Sequence, residues 1–149
     1  MTGVQTCALP ISLGASTINV RRGVEDNLAF RAGLNNTTSA RDLGALLEAI
    51  ASGRAASPAS TREMLDILSR QEFNEQIPAG LPPGTRVAHK TGWITGTLHD
   101  AALVFPDARP PFALVVLTRG LPDEATGQRL TQDIARLVWA HVIEVAPAR

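Results

Sequence analysis

The sequence predicts an α+β fold: a three-stranded antiparallel sheet with flanking helices and a long C-terminal helix. Two observations carry this. Two helical patterns come first, then three short β-patterned segments, then one long amphipathic stretch. The turns between the β-patterned segments are short, which favours antiparallel hairpins over parallel crossovers. A chain of 149 residues, 44% hydrophobic and 19% charged, fits one domain with a real core.

Residues 12–37 have no clear period and are rich in glycine and asparagine, so they read mostly as a long loop. Long loops inside compact domains are usually functional or disordered. Ser39-Ala-Arg-Asp42 has the spacing of a capping box, with Asp in place of Glu. Leu43, Leu46, Leu47 and Ile50 follow at helical spacing, and Gly53 closes the segment. A second start signal, Ser60-Thr-Arg-Glu63, opens a helix with Met64, Leu65 and Leu68 on one face, ending near Gln71. The proline- and glycine-rich run 77–84 (IPAGLPPG) reads as a turn region. Strands are expected over 86–91, 98–105 and 112–118; the last is apolar over most of its length, as a strand covered on both faces should be. A helix over 124–143 carries a stripe of Leu130, Ile134, Leu137, Val138 and His141, with His141 as a packing histidine.

Basic and acidic residues balance at 14 each, which gives no electrostatic reason to expect nucleic acid or an anionic membrane surface as partner. No apolar run is long enough to span a bilayer. Cys7 is the only cysteine, so no intramolecular disulfide is possible. No His/Cys/Asp/Glu cluster has metal-ligand spacing and no Gly-rich phosphate loop is present; no cofactor and no metal are expected. Residues 1–11 (MTGVQTCALPI) resemble the translation of a sequencing adapter. They lack the basic n-region and apolar h-region of a secretory signal and are set aside as a non-native segment.

One motif carries chemistry. His89-Lys-Thr-Gly-Trp93 is expected to end the first strand, after a turn-rich segment and before a glycine-containing hairpin. Lys90 is the only lysine of the chain. Alone, Lys-Thr-Gly is weak evidence. Its placement resembles that of the third motif in the class A β-lactamase and penicillin-binding-protein group. NNTTSARDLGALLEAIASG (35–53) resembles the exit from that family's Ω-loop into the next helix. IPAGLPPGTRVAHKTG (77–92) resembles the approach to its motif strand, and GTLHDAALVFP (96–106) the strand after it. The likeness runs from about Leu13 to Ile143, in order.

The resemblance implies a partial β-lactamase-like fold: residues 12–149 as the C-terminal part of a serine hydrolase domain. In it, 12–38 form an Ω-loop-like segment, 39–71 two helices, and 85–143 the sheet and C-terminal helix. The parent would catalyse acyl transfer through an acyl-serine intermediate, on a small-molecule substrate: a β-lactam, an acyl-D-alanine peptide or an ester. A periplasmic or secreted parent is implied as well. Lys90 would supply a positive field, the Thr91 hydroxyl would bind a substrate carboxylate, and Gly92 would let substrate lie along the strand edge. The Trp93 backbone N–H would be one of two oxyanion-hole donors. His99 would lie where a cationic side chain often helps hold the carboxylate, against a polar strand residue as the plainer reading.

The sequence also departs from the family. Val87 stands three residues before the only lysine, so Ser-x-x-Lys, which carries the family nucleophile, is absent. Ser-Asp-Asn and Tyr-x-Asn are absent too. This chain is therefore expected to be inactive alone. The segment Arg22-Gly-Val-Glu-Asp-Asn27 lacks the family's proline; Glu25 is the nearest candidate for its acid, against a solvated loop carboxylate. Asn36 stands where the family has an acid, which argues against a buried Ω-loop salt bridge. The reading from a different class is a non-catalytic α+β binding module whose Lys-Thr-Gly is coincidental.

Overall fold

A computed structural model of the chain describes residues 8–107 and 109–145. Residues 1–7, with Cys7, lie outside the described residues; the remainder of the set-aside segment enters the short helix α1 (Ala8–Ser12). The expected loop then runs to residue 39, interrupted by one turn of helix, α2 (Asn27–Arg31), which Asp26 caps by accepting from the Ala29 N–H at 2.9 Å.

Helix α3 (Ala40–Ala51) starts at the predicted cap, where Ser39 accepts from the Asp42 N–H. Helix α4 spans Pro58–Ser69, so it begins before the expected start at Ser60. Its cap is Ser57, and Pro58 fills the first helical position, where no N–H is needed. The 77–84 run is irregular apart from a single 3₁₀ turn at Pro78–Gly80.

Three strands form one antiparallel sheet in the order β1-β2-β3: β1 (Arg86–Ile94), β2 (Thr97–Phe105) and β3 (Phe112–Leu117). β1 outruns its expected end at Thr91 by three residues, so Lys-Thr-Gly lies inside the strand. It pairs with β2 up to Ile94–Thr97, closing a turn of only Thr95 and Gly96, with Gly96 at φ 72°.

Alternation along the strands divides the side chains between two cores. Leu47 of α3, with Leu65 and Leu68 of α4, packs on Ala88, Leu103, Phe105 and Val115. Helix α5 (Glu124–Ala140) and the 77–81 segment cover the other face. There Ile77, Leu81, Ala135, Ile134 and Val138 meet Val87, Ala102, Val104, Leu114 and Val116. The α5 register differs from expectation. Leu130 and Leu137 are exposed, as is His141, which opens a π turn (His141–Val145) rather than packing. The buried positions are small: Gly127, Thr131 and Ala135. Close approach explains this. A Cβ on Gly80 would stand 2.4 Å from the Gln132 carbonyl oxygen and 2.8 Å from Ala135 Cβ, so this face admits little bulk. Among the described residues, no helix is long and apolar enough to cross a membrane.

Candidate active site

β1 is an edge strand, and its hydrogen-bonding pattern shows which groups that edge offers. Leu98, opposite Trp93, accepts at its carbonyl from Thr118 Oγ1, and its N–H donates to the same hydroxyl at 3.1 Å. Both Leu98 backbone groups therefore point toward β3. The Trp93–Leu98 pair exchanges no ladder bonds, and the Trp93 N–H faces the open edge. Two residues back the same phase recurs: the Thr91 carbonyl points outward and accepts from Lys90 Nζ at 2.6 Å. Lys90 is exposed and lies folded along this edge, its charge beside the outward backbone groups.

The residues of the motif divide between the two faces of the sheet. Lys90 and Gly92 share the α3–α4 side with His99, which pairs with Gly92 across the ladder. Thr91 and Trp93 lie on the α5 side. The Thr91 side chain is buried there, 5% exposed, with its hydroxyl unpartnered. Lys90 and His99 thus share a face, whereas the Thr91 hydroxyl turns away from both. The indole of Trp93 is exposed and packs on Phe73, ring centroids 5.6 Å apart.

His99 is half-buried, and its Nδ1 accepts from the Thr118 N–H at 3.1 Å. That bond places the ring proton on Nε2. The imidazole lines a cleft of about 550 Å³ between the sheet and the loop, with Asn19, Asn36, Thr38 and Arg119 on its walls.

The loop is closed at its neck by polar contacts. Asn19 and Thr37 form an isolated antiparallel bridge. Asn36 Oδ1 accepts from the N–H groups of Arg21 (2.8 Å) and Arg22 (3.1 Å), and its Nδ2 donates to the Arg22 carbonyl at 3.0 Å. A neutral amide thus clamps the loop by backbone contacts, where an acid would ask for a salt bridge. At its start, the Thr17 N–H and hydroxyl both donate to the Asp42 carboxylate. Those bonds, the hydroxyl foremost, hold the Asp42 carboxyl below its ordinary value, against desolvation, with Ser39 adding to the shift. Glu25 is exposed in the turn before α2 and lines neither cleft beside the hairpin.

A buried polar cluster behind the motif was missed from sequence. His89 and Asp100 are 1% and 0% exposed and meet at 3.0 Å, Nδ1 to Oδ1. Asp100 Oδ2 accepts from the Ile77 N–H at 3.1 Å, and His89 Nε2 lies 3.3 Å from Asn74 Oδ1. The cluster ties the 74–77 segment to both strands of the motif hairpin. Its signal was present: the turn at Thr95-Gly96 fixes the register, which puts two polar side chains at inward positions, where each needs a partner.

Comparison with known proteins agrees with this architecture. Residues 8–142 match the Beta-lactamase enzyme family, a match that opens inside the segment set aside above. A β-lactamase of Streptomyces lavendulae is 30% identical over 131 residues, covering 85% of this chain and 43% of that protein. A carbapenem-hydrolysing β-lactamase, KPC, of Klebsiella oxytoca is 31% identical over 112 residues, covering 72% of this chain and 38% of its own length. A β-lactamase structure from Sphaerobacter thermophilus superposes with a TM-score of 0.80 at 29% identity, over 93% of this chain and 53% of that one. PBP-A, in an acyl-enzyme complex with penicillin G, superposes at 0.76 and 30% identity, over 87% and 47%. The fold is of the β-lactamase type. The chain belongs to the β-lactamase enzyme family, and it spans about half the length of the relatives it matches.

Proposed function

We propose that this chain is the C-terminal part of a serine hydrolase of the β-lactamase/DD-peptidase type, and that it is inactive alone. In the parent, a serine hydroxyl from the upstream part would attack the carbonyl of a β-lactam, acyl-D-alanine peptide or ester. The C–N or C–O bond breaks, the leaving group takes a proton, and water then cleaves the acyl-serine ester. The observation that carries this reading is the open edge of β1, where the Trp93 N–H points outward beside Lys90.

Trp93 would donate one hydrogen bond to the developing oxyanion; losing one such donor typically costs about 3–4 kcal/mol of transition-state stabilisation. Lys90 would provide the positive field for a substrate carboxylate, with the Nε2–H of His99 on the same face. Gly92, without a side chain, would leave the edge open. Thr91 would meet substrate through its hydroxyl, from the α5 side of the edge. Glu25, out in the solvated loop, is the weaker candidate for a deacylating base.

Mass spectrometry after incubation with penicillin tests this. The isolated chain should retain no covalent adduct, because it holds no Ser-x-x-Lys nucleophile. The parent, with its upstream part restored, should acylate. There Lys90→Ala should slow acylation about 100-fold or more, and Glu25→Ala should act far less. A stoichiometric adduct on the 149-residue chain overturns the claim of incompleteness. A parent indifferent to Lys90→Ala overturns the motif assignment.

A further inference from the structure

We propose that His89 is a positioning residue for the oxyanion donor: doubly protonated, paired with Asp100 and bonded to Asn74, it holds Phe73 against Trp93. The first step is the placement of protons. Asn74 Nδ2 donates to the carbonyl oxygens of Gln71 (2.9 Å) and Glu72 (3.1 Å), and a carbonyl can only accept. Those bonds fix the amide, so the atom that faces His89 Nε2 at 3.3 Å is an oxygen. Nε2 therefore carries a proton. On the other side of the ring, Nδ1 lies 3.0 Å from Asp100 Oδ1, while Oδ2 accepts from the Ile77 N–H. With Nε2 protonated, this second contact also needs a proton. A carboxyl is ordinarily the stronger acid of the two, so the proton sits on Nδ1 and the ring is an imidazolium.

Burial favours the same state. His89 and Asp100 are 1% and 0% exposed. A neutral ring would leave the carboxylate buried without a countercharge, and would set a bare nitrogen against an oxygen at one end or the other. Among the described residues, no other charged group bonds to the pair. Helix α5 turns Gly127, Thr131 and Ala135 toward this face, and its Glu124, Arg129, Asp133 and Arg136 are exposed. Glu72 and Glu75 of the bonded segment are exposed too, and Lys90 lies on the opposite face of the sheet.

The second step is mechanical. Residues 73–77 cross the α5 side of the hairpin as a clasp. Asn74 is bonded to His89, the Ile77 N–H to Asp100, and the Glu75 carbonyl to Gln132 of α5 at 2.8 Å. Phe73, next to Asn74, packs on the Trp93 indole. Trp93 needs that support, because it exchanges no ladder bonds with Leu98 and follows a glycine. A backbone donor stabilises a developing charge only if it is fixed beforehand. This catalytic consequence rests on the reading of β1 as the substrate strand; the placement of protons does not.

NMR of the ¹⁵N-histidine-labelled 149-residue chain in neutral buffer tests the first step. Both ring nitrogens of His89 should carry a bonded proton, whereas His99 should show its proton on Nε2 alone. Asp100→Asn should take away the Nδ1 proton only. The new amide donates to Nδ1 and accepts from Ile77, Nε2–H stays on Asn74, and Overhauser contacts between the Phe73 and Trp93 rings persist. Asn74→Ala, at an exposed position, should abolish those contacts. In the parent, Asn74→Ala should slow acylation at saturating penicillin about tenfold, with little change in the concentration that gives half the maximal rate. A neutral ring on wild-type His89 overturns the proposal; if Asp100→Asn does not fold, that signature and Asn74→Ala still decide it. A parent that acylates but is indifferent to Asn74→Ala overturns the positioning role. A wild-type parent that never acylates, with the ring signature and the clasp intact, overturns the reading of the strand edge instead.

Discussion

The motif hairpin and the loop before it are held by different forces. β1 and β2 are packed on both faces by apolar side chains, with the buried His89–Asp100 pair bonded to the 74–77 segment. The loop buries little. It is gathered at its neck by one amide, Asn36, one carboxylate, Asp42, and an isolated bridge. A site that must keep backbone donors fixed in space needs the first kind of support. The second holds a segment in place while leaving it able to open locally, at a free energy well below that of global unfolding.

The largest test of this contrast is Asp100→Ala. It would strand the Ile77 N–H and the His89 ring together, at a site where both side chains of the pair are buried. Removing one partner of such a buried pair typically costs about 3–5 kcal/mol. Urea unfolding should show a loss of that size for the whole domain. A loss below about 1 kcal/mol would show that the cluster is solvated and does not brace the hairpin.

How far the sequence reveals each region follows from the same physics. The sheet is legible because hydrophobic alternation and a glycine turn specify both strand and register, and β1, β2 and β3 lie where patterning puts them. The end of β1 is not, because Gly92 after Thr91 reads as a break in the strand, whereas ladder pairing carries it on to Ile94. The α4 start is misplaced because Ser60-x-x-Glu63 imitates a capping box, and the true signal, Ser57 before Pro58, lies just ahead of it. The α5 face is misjudged because bulk is taken as a mark of burial. Close approach to the 3₁₀ turn instead admits Gly127, Thr131 and Ala135, and leaves Leu130 and Leu137 outside. Of the site, Lys90, Gly92 and Trp93 enter the sequence reading through the motif and His99 through the family resemblance; the structure sets His99 opposite Gly92 in the ladder. The sequence pattern does not show that the Thr91 hydroxyl turns toward α5, because alternation alone does not say which face holds which core.

A smaller effect is expected at the loop neck. Asn36→Ala removes three bonds to Arg21 and Arg22, all at an exposed site. Water can replace them, so about 1 kcal/mol is the expected scale, confined to the loop. Amide exchange should quicken across residues 19–37, while the core strands keep their protection. Equal acceleration in β2 would mean that loop and sheet unfold as one unit and that the contrast between them fails.

The smallest effect is the pH dependence of the loop's other anchor. The Asp42 carboxyl is held below its ordinary value of 3.8, chiefly by the Thr17 hydroxyl. A carboxyl whose folded-state value is depressed binds protons more readily in the unfolded chain. Its contribution is therefore fully present above 3.8, and is lost as pH falls through the lower folded-state value. Protonation does not expel the side chain; it weakens the oxygens as acceptors for the Thr17 N–H and hydroxyl, so the first sign should be local. A side-chain carboxyl NMR titration should place the Asp42 midpoint below 3.8, with exchange at the Thr17 amide quickening over the same interval. Asp42→Asn keeps an oxygen that can accept from Thr17 but removes the charge, so its Thr17 exchange should be independent of pH there once the intrinsic rate is divided out. A midpoint at or above 3.8 would show that burial outweighs the Thr17 bonds, and the loop's attachment to α3 would then owe nothing to the charge of Asp42.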